Sequence, residues 1–228
     1  MSAPEEPMES LYPFLYSGGT DLDAVLTAVR QSTVDKANEI VALRQSVLER
    51  DGDRMAACAQ AMAAAFDGGA RLFTFGNGGS STDAQDVAAL FLNPGGAARP
   101  LPAFALTADV AVVTALSNDI GFEVVFSRQL AASGRSGDIA FGLSTSGNSR
   151  NLIAGFQEAD RRGMITVGLA GYDGGQMAEL GTIDHLFVVP SSSVHRIQEA
   201  QTTVYHALWE LTQDALRRRG AVPPPRSS

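Results

Sequence analysis

The sequence predicts an α/β fold: a doubly wound, five-stranded parallel sheet flanked by helices, with long N-terminal helices and a long C-terminal helix. Three observations predict it. From residue 71 to residue 189, short apolar runs of strand length alternate with amphipathic runs of helix length, the order of strands joined by helical crossovers. Several of the apolar runs end in glycine- and serine-rich turns, which is where an open parallel sheet holds its ligands. Long helical patterns precede the first strand and follow the last, more than one sheet needs for cover.

Residues 1–20 hold three prolines and a Gly-Gly pair, which predicts an irregular arm carrying Leu11, Tyr12, Phe14, Leu15 and Tyr16. From Asp21 to about Glu49, Leu22, Val25, Leu26 and Val29 begin an apolar pattern of helical period that runs on to Leu43. A second helix is expected from about Arg54 to Phe66, ended by Gly68-Gly69. Strands are expected at Arg71–Phe75, Pro102–Leu106, Asp138–Leu143, Met164–Leu169 and His185–Val189. Helices are expected at Thr82–Leu92, Asp109–Asn118, Phe122–Ser133, Ser149–Arg162, Gln176–Leu180 and His195–Arg218. Pro223-Pro224-Pro225 cannot continue the last helix, so residues 220–228 read as a flexible tail. With no repeat or linker between, residues 21–219 are expected to form one domain.

Bulk chemistry narrows the partners. A chain of 228 residues suffices for one sizeable α/β core. Its net charge of −8 offers no basic field to a polyanion, so no direct nucleic-acid partner is expected. The one dense basic run, Arg217-Arg218-Arg219, suits the last turn of a helix against its dipole. Cys58 is the only cysteine, which rules out an internal disulfide and reads as a buried small residue in an Ala-rich helix. With no basic-then-apolar leader and no membrane-length apolar run, a cytoplasmic location is expected. The surplus amphipathic helices predict a homo-oligomer.

Three strand ends are unusually polar: Gly76 to Thr82, Ser144 to Ser149, and Gly171 to Gly175. The second is the most telling. It places four hydroxyls within six residues, on a turn leading into a helix. Glycine lets backbone N–H groups face a ligand, the hydroxyls add donors, and a helix N-terminus favours negative charge. No lysine is present, so this is not a nucleoside-triphosphate loop. The turn suits a phosphate monoester held by neutral donors, and the competing reading is a Ser N-cap. In the first turn, Gly76-x-Gly78-Gly79 falls short of a dinucleotide fingerprint because position 81 is serine, which leaves that reading as a weaker alternative.

The blocks GNGGSSTDAQ, LSNDIGFEVVFSRQL, LSTSGNSRNLI, GYDGGQMAEL and HRIQEAQTTVYHAL resemble, in order, those of the sugar isomerase (SIS) domain family. Within it they are similar to the phosphoheptose (sedoheptulose 7-phosphate) isomerases and to their non-catalytic relative that binds the bacterial replication initiator. The resemblance covers about residues 30 to 215. It implies a homotetramer with sites between subunits and a phosphosugar ligand. Ser80, Ser144, Thr145, Ser146 and Ser149 would bind phosphate, Asn77 and Gly78 would line the sugar, and Asp119 would reach toward the pocket. Gln198 and His206 would help hold zinc, with His206 as general acid/base.

The departures from that family matter as much. Asp86 stands where the isomerases have a histidine, and Leu90 where they have the glutamate that serves as base and metal ligand. His195 replaces an acidic residue often found just before RIQ. Asp86 lies one turn before Leu90 on the same face, so its carboxylate can occupy the same space. Asp86, Gln198 and His206 are therefore candidate catalytic residues and a candidate three-ligand zinc site. Glu123, Glu199 and His195 are further acid/base candidates. Two functions stay open: an isomerase with an altered active site, and a phosphosugar-sensing or scaffold protein with a protein partner.

Overall fold

In the computed structural model, which describes residues 22–96 and 98–220, the predicted sheet has five parallel strands. They are β1 (Leu72–Gly76), β2 (Ala103–Ala105), β3 (Ile139–Leu143), β4 (Ile165–Gly171) and β5 (His185–Val189). Their spatial order is β2-β1-β3-β4-β5. The chain steps outward from β1 to β2 and then returns past β1 to β3. The crevice between the ends of β1 and β3 is therefore the topological switch point, the ligand position in this kind of sheet. Every residue of β1 and β3 is buried, as expected where helices cover both faces.

The helices are α1 (Leu22–Asp67), α2 (Gly79–Leu92), α3 (Val110–Asp119), α4 (Val125–Ser133), α5 (Arg150–Arg161), α6 (Gly175–Glu179) and α7 (Val194–Gly220). The core under α4 and α5 is aromatic. Phe75 packs against Phe126 at 5.3 Å and Phe156 at 5.2 Å between ring centroids, with the rings tilted. Gly142 lies mid-strand in β3 because a Cβ there would come within 2.5 Å of the Phe156 ring. Each such buried phenylalanine stabilises the fold by ~2 kcal/mol relative to exposure. Cys58 is wholly buried, and desolvation pushes its thiol up to about 12, so it behaves as an inert core residue.

Most boundaries shift from expectation by one or two residues, and three differences are larger. The two predicted N-terminal helices are one helix of 46 residues. Its middle holds because buried Asp51 pairs with Arg50 at 2.6 Å and Arg54 at 2.5 Å. The same two arginines donate to the Val188 and Leu186 carbonyls of β5. Those bonds outweigh the ~1 kcal/mol that Gly52 costs inside a helix. Helix α2 begins at Gly79, ahead of the predicted Thr82, because Gly78 takes a left-handed φ of 55° as its N-cap. The predicted Phe122–Ser133 helix starts as a 3-10 turn over Phe122–Val124 and becomes α-helical at Val125.

By contacts the chain divides at Ala42/Leu43 into two compact units. In the first unit, the α1 residues from 23 to 39 are all exposed, including Val25, Leu26, Val29 and Val34. The second unit holds the sheet and the remaining helices. No helix among the described residues is long and apolar enough to cross a membrane. The expected arm at residues 1–20 and most of the expected tail lie outside the described residues.

Candidate functional site

The site begins where β1 ends. A Cβ on Gly76 would meet the Ser80 carbonyl at 2.3 Å, and one on Gly79 would meet Gln198 Nε2 of α7 at 2.2 Å. Glycine is needed at both positions because the turn folds back on itself and α7 lies directly on it. Asn77 and Asn151, the latter buried on α5, exchange reciprocal amide hydrogen bonds of 2.9 Å. This pair ties the first turn to the helix that follows the second. Ser80 is buried beside it, and the neighbouring Ser81 hydroxyl donates to Thr107 at 2.8 Å.

The second loop leaves β3 at Ser144, whose N–H extends the sheet by donating to Leu169 O at 2.9 Å. The Ser144 hydroxyl accepts from Gly147 N at 3.0 Å and lies 3.4 Å from the Ser149 hydroxyl. Ser149 occupies the N-cap position of α5, yet its side chain makes no capping bond. The N-cap reading of this serine is thereby corrected: its hydroxyl faces Ser144, and while the N–H groups of Leu152 and Ile153 donate to Ser149 O, those of Arg150 and Asn151 face the loop as donors for a ligand. Ser146 accepts from Asn148 N at 3.2 Å, so its own proton remains available, and Thr145 is half-buried. The nearby Arg150 is 80% exposed and paired with Glu123 at 2.9 Å. The loop thus offers hydroxyl and backbone donors, suited to a phosphate monoester held without a buried cation.

Beside these loops, α2 and α7 form a seam of polar side chains. The Tyr205 hydroxyl donates to Asp86 Oδ2 at 2.8 Å, and His206 Nε2 lies 3.7 Å from the same oxygen. One turn nearer the glycine turn, Gln198 Nε2 donates to Asp83 Oδ2 at 3.5 Å. Asp83 is half-buried, and desolvation raises its pKa; the Gln198 bond opposes that shift and the charge of Asp86 adds to it. Burial likewise raises the pKa of the Tyr205 phenol, with the Asp86 carboxylate contributing. Leu90, partly buried one turn beyond Asp86, adds only apolar surface.

This donor set does not fit zinc. Among the described residues no three His, Cys, Asp or Glu side chains converge on a point. Asp86 and His206 face each other, while Gln198 is turned onto Asp83. Zinc prefers more nitrogen or sulfur than one imidazole, a carboxylate and an amide supply. The other acid/base candidates are engaged elsewhere or solvated: Glu123 binds Arg150 at 2.9 Å, Glu199 binds Arg196 at 2.7 Å, and His195 is exposed. Asp119 is exposed at the end of α3, and its described hydrogen bond is from Asn118 at 2.9 Å. The structure therefore brings the turn that carries Asn77, Gly78 and Ser80 onto Gln198 through Gly79, sets Asp86 beside His206, and joins the turn to the Ser144–Ser149 loop through Asn151.

Sequence reasoning missed four polar groups of this region. Asn151 and Asp83 lie inside motifs that were already singled out, and Tyr205 adjoins His206. Asp83 and Asp86 stand three apart on α2, a spacing that places both on the face toward α7. The fourth, Gln201, is fully buried and donates to the Ser144 carbonyl at 3.4 Å. Its signal was its register: it falls on the same α7 stripe as Ile197, Val204 and Leu208.

Known proteins align with this picture. The SIS domain family model matches residues 37–171. The chain is 42% identical over 188 residues to a phosphoheptose isomerase of Nitratidesulfovibrio vulgaris, covering 82% of this chain and 89% of that protein. It is 43% identical over 159 residues to one from Aquifex aeolicus, covering 69% and 82%. The solved phosphoheptose isomerase of Neisseria gonorrhoeae superposes with a TM-score of 0.75 at 34% identity, covering 82% of this chain and 99% of that one. The five-stranded parallel sheet, the serine loop at its switch point and these likenesses together lead to one conclusion: the chain belongs to the SIS domain family, in its phosphoheptose isomerase-like group.

Proposed function

We propose that the protein binds a phosphosugar, with the phosphate in the Ser144–Ser149 loop and at Ser80 and the sugar along Asn77, Gly78 and the α2–α7 seam. The single observation that carries this reading is the uncapped Ser149 hydroxyl facing Ser144 at the start of α5. It leaves the serine hydroxyls and the N–H groups of Arg150 and Asn151 as neutral donors at a helix N-terminus. The reaction of the isomerase relatives converts sedoheptulose 7-phosphate to an aldose heptose 7-phosphate. That reaction needs a proton taken from the carbon beside the carbonyl, returned to the former carbonyl carbon, and another moved between the oxygens. In this chain His206 is the group able to give and take those protons, with Asp86 beside it in place of the usual carboxylate base.

A second reading has its own observation. Leu90 can move no proton, and Asp86 Oδ2 already accepts from the buried Tyr205 hydroxyl. Those two facts favour a non-catalytic sugar-phosphate sensor or scaffold with a protein partner. In either reading the protein works in the cytoplasm as a homo-oligomer, a tetramer with sites between subunits.

Both readings are separated by incubating the full chain with sedoheptulose 7-phosphate, with and without added zinc, and following aldose formation. The isomerase reading expects product that disappears in His206→Ala and Asp86→Ala. No turnover combined with a rise in melting temperature on adding the phosphosugar selects the sensor. The phosphate placement expects Ser146→Ala/Ser149→Ala to abolish that rise, and an unchanged rise would overturn it.

A further inference from the structure

The ends of β3, β4 and β5 border a second cleft of about 700 Å³, on the other side of the serine loop from β1. Its walls include Ser146, Tyr172, Asp173, Pro190, Ser191 and Ser192. Tyr172 stands out by conformation. At φ 52° it is the one non-glycine residue with positive φ among the described residues, and its side chain is exposed. A bulky residue keeps such a backbone only where its surroundings over-determine it, a condition concentrated at binding sites.

Those surroundings are visible. A Cβ on Gly171 would meet Thr145 O at 2.4 Å, and one on Gly147 would meet Gly174 O at 1.9 Å. Gln176 N donates to Asn148 Oδ1 at 2.9 Å, and Met177 N donates to Gly147 O at 3.0 Å. The Tyr172 turn is thus locked backbone-to-backbone onto the serine loop, and its ring is presented ready-placed at the rim of the cleft.

The lining chemistry selects the ligand class. No cation lines the cleft, so it does not suit a second phosphate. It offers one aromatic face, one carboxylate and several hydroxyls, a set matched to a polyol with an apolar C–H face and a hydroxyl edge. Asp173 Oδ1 accepts from Gly175 N at 3.1 Å, which leaves Oδ2 to a ligand. Ser191 accepts from Ser193 N at 3.2 Å, which leaves its proton to be donated. We propose that this cleft is a second carbohydrate site, taking a neutral sugar against the Tyr172 ring with its hydroxyls bonded by Asp173, Ser191 and Ser192.

The test is saturation-transfer NMR on the full chain with free sedoheptulose as probe, repeated with inorganic phosphate at saturation. Transfer to the sugar should persist with phosphate present, and should fall about fivefold in Tyr172→Ala, the scale of one lost aromatic contact. Asp173→Asn keeps an acceptor for Gly175 and should weaken the signal independently, which covers the case that Tyr172→Ala fails to fold. Absence of transfer in the parent protein, its abolition by phosphate, or an unchanged signal in Asp173→Asn overturns the proposal. The phosphate-induced melting shift reads the serine loop separately. Its absence with the sugar signal intact supports this cleft and counts only against the proposed phosphosugar function.

Discussion

At the scale of single residues, Asp83 and Tyr205 carry tests of the α2–α7 seam that do not depend on any substrate. Asp83 must shed its proton in a partly dry seam beside Asp86, so the folded state holds that proton to higher pH than the unfolded chain does. Around the raised value the folded state binds more protons than the unfolded one, and stability therefore falls as pH rises through that window. Asp83→Asn removes the penalty: its melting temperature at pH 7 should exceed that of the parent, and the gain should shrink as pH is lowered toward the ordinary aspartate range. A gain independent of pH would show that ionisation is not the cause. Tyr205→Phe deletes a hydroxyl whose partner is a carboxylate. Because Asp86 is half-exposed and can recruit water, the expected loss is ~1 kcal/mol in urea unfolding. Leu90→Glu restores a base one turn from Asp86, and a gain in aldose formation over the parent would identify that position as the limiting loss.

Among elements, the middle of α1 depends on a buried charge. The Asp51 side chain is 1% exposed and shares two arginines that also bond β5 carbonyls. Removing one arginine leaves Asp51 a partner, so Arg50→Met or Arg54→Met should cost little. The double variant strands an uncompensated buried carboxylate and should cost ~3–5 kcal/mol, read as a lowered urea midpoint. A double-variant cost equal to the sum of small single costs would mean that the charge is relieved some other way. The first turns of α7 play the corresponding part at the site. Ile197 fills the space beside Gly171, Gln198 sits on Gly79, and Gln201 bonds Ser144 O at 3.4 Å. One helix thus touches the ends of three strands and also carries His206 toward Asp86.

For the molecule as a whole, the exposed apolar side chains of α1 are the feature that a single chain leaves unburied. Val25 is 42% and Val29 57% exposed, beside Leu26, Val34 and Val41, a patch that a soluble monomer rarely presents. Light scattering on a sizing column should give a multiple of the chain mass, and Val25→Glu/Val29→Glu should move the protein to a smaller species. A monomer in both cases would exclude assembly through this helix. The fold was legible before any coordinates because local rules fix it. Apolar runs of strand length and period-3.6 patterning marked the strands and most helices, and the glycine turns marked the strand ends. The helix break near Gly52 was misread, because the interactions that override a mid-helix glycine come from β5, more than 130 residues away in the chain. The serine loop stood out by residue type alone, with four hydroxyls and a glycine on one turn before a helix. Whether Ser149 caps α5 could not be read, because capping and ligand binding demand the same residues, and only the structure shows that its side chain makes no capping bond. The sequence by itself determined the strands and helices, their order along the chain and the position of a neutral, hydroxyl-rich loop before α5. The tertiary structure alone decided what faces Asp86, which zinc donors fail to converge and how Tyr172 is held, because these depend on distances between side chains that no spacing along one strand of sequence encodes.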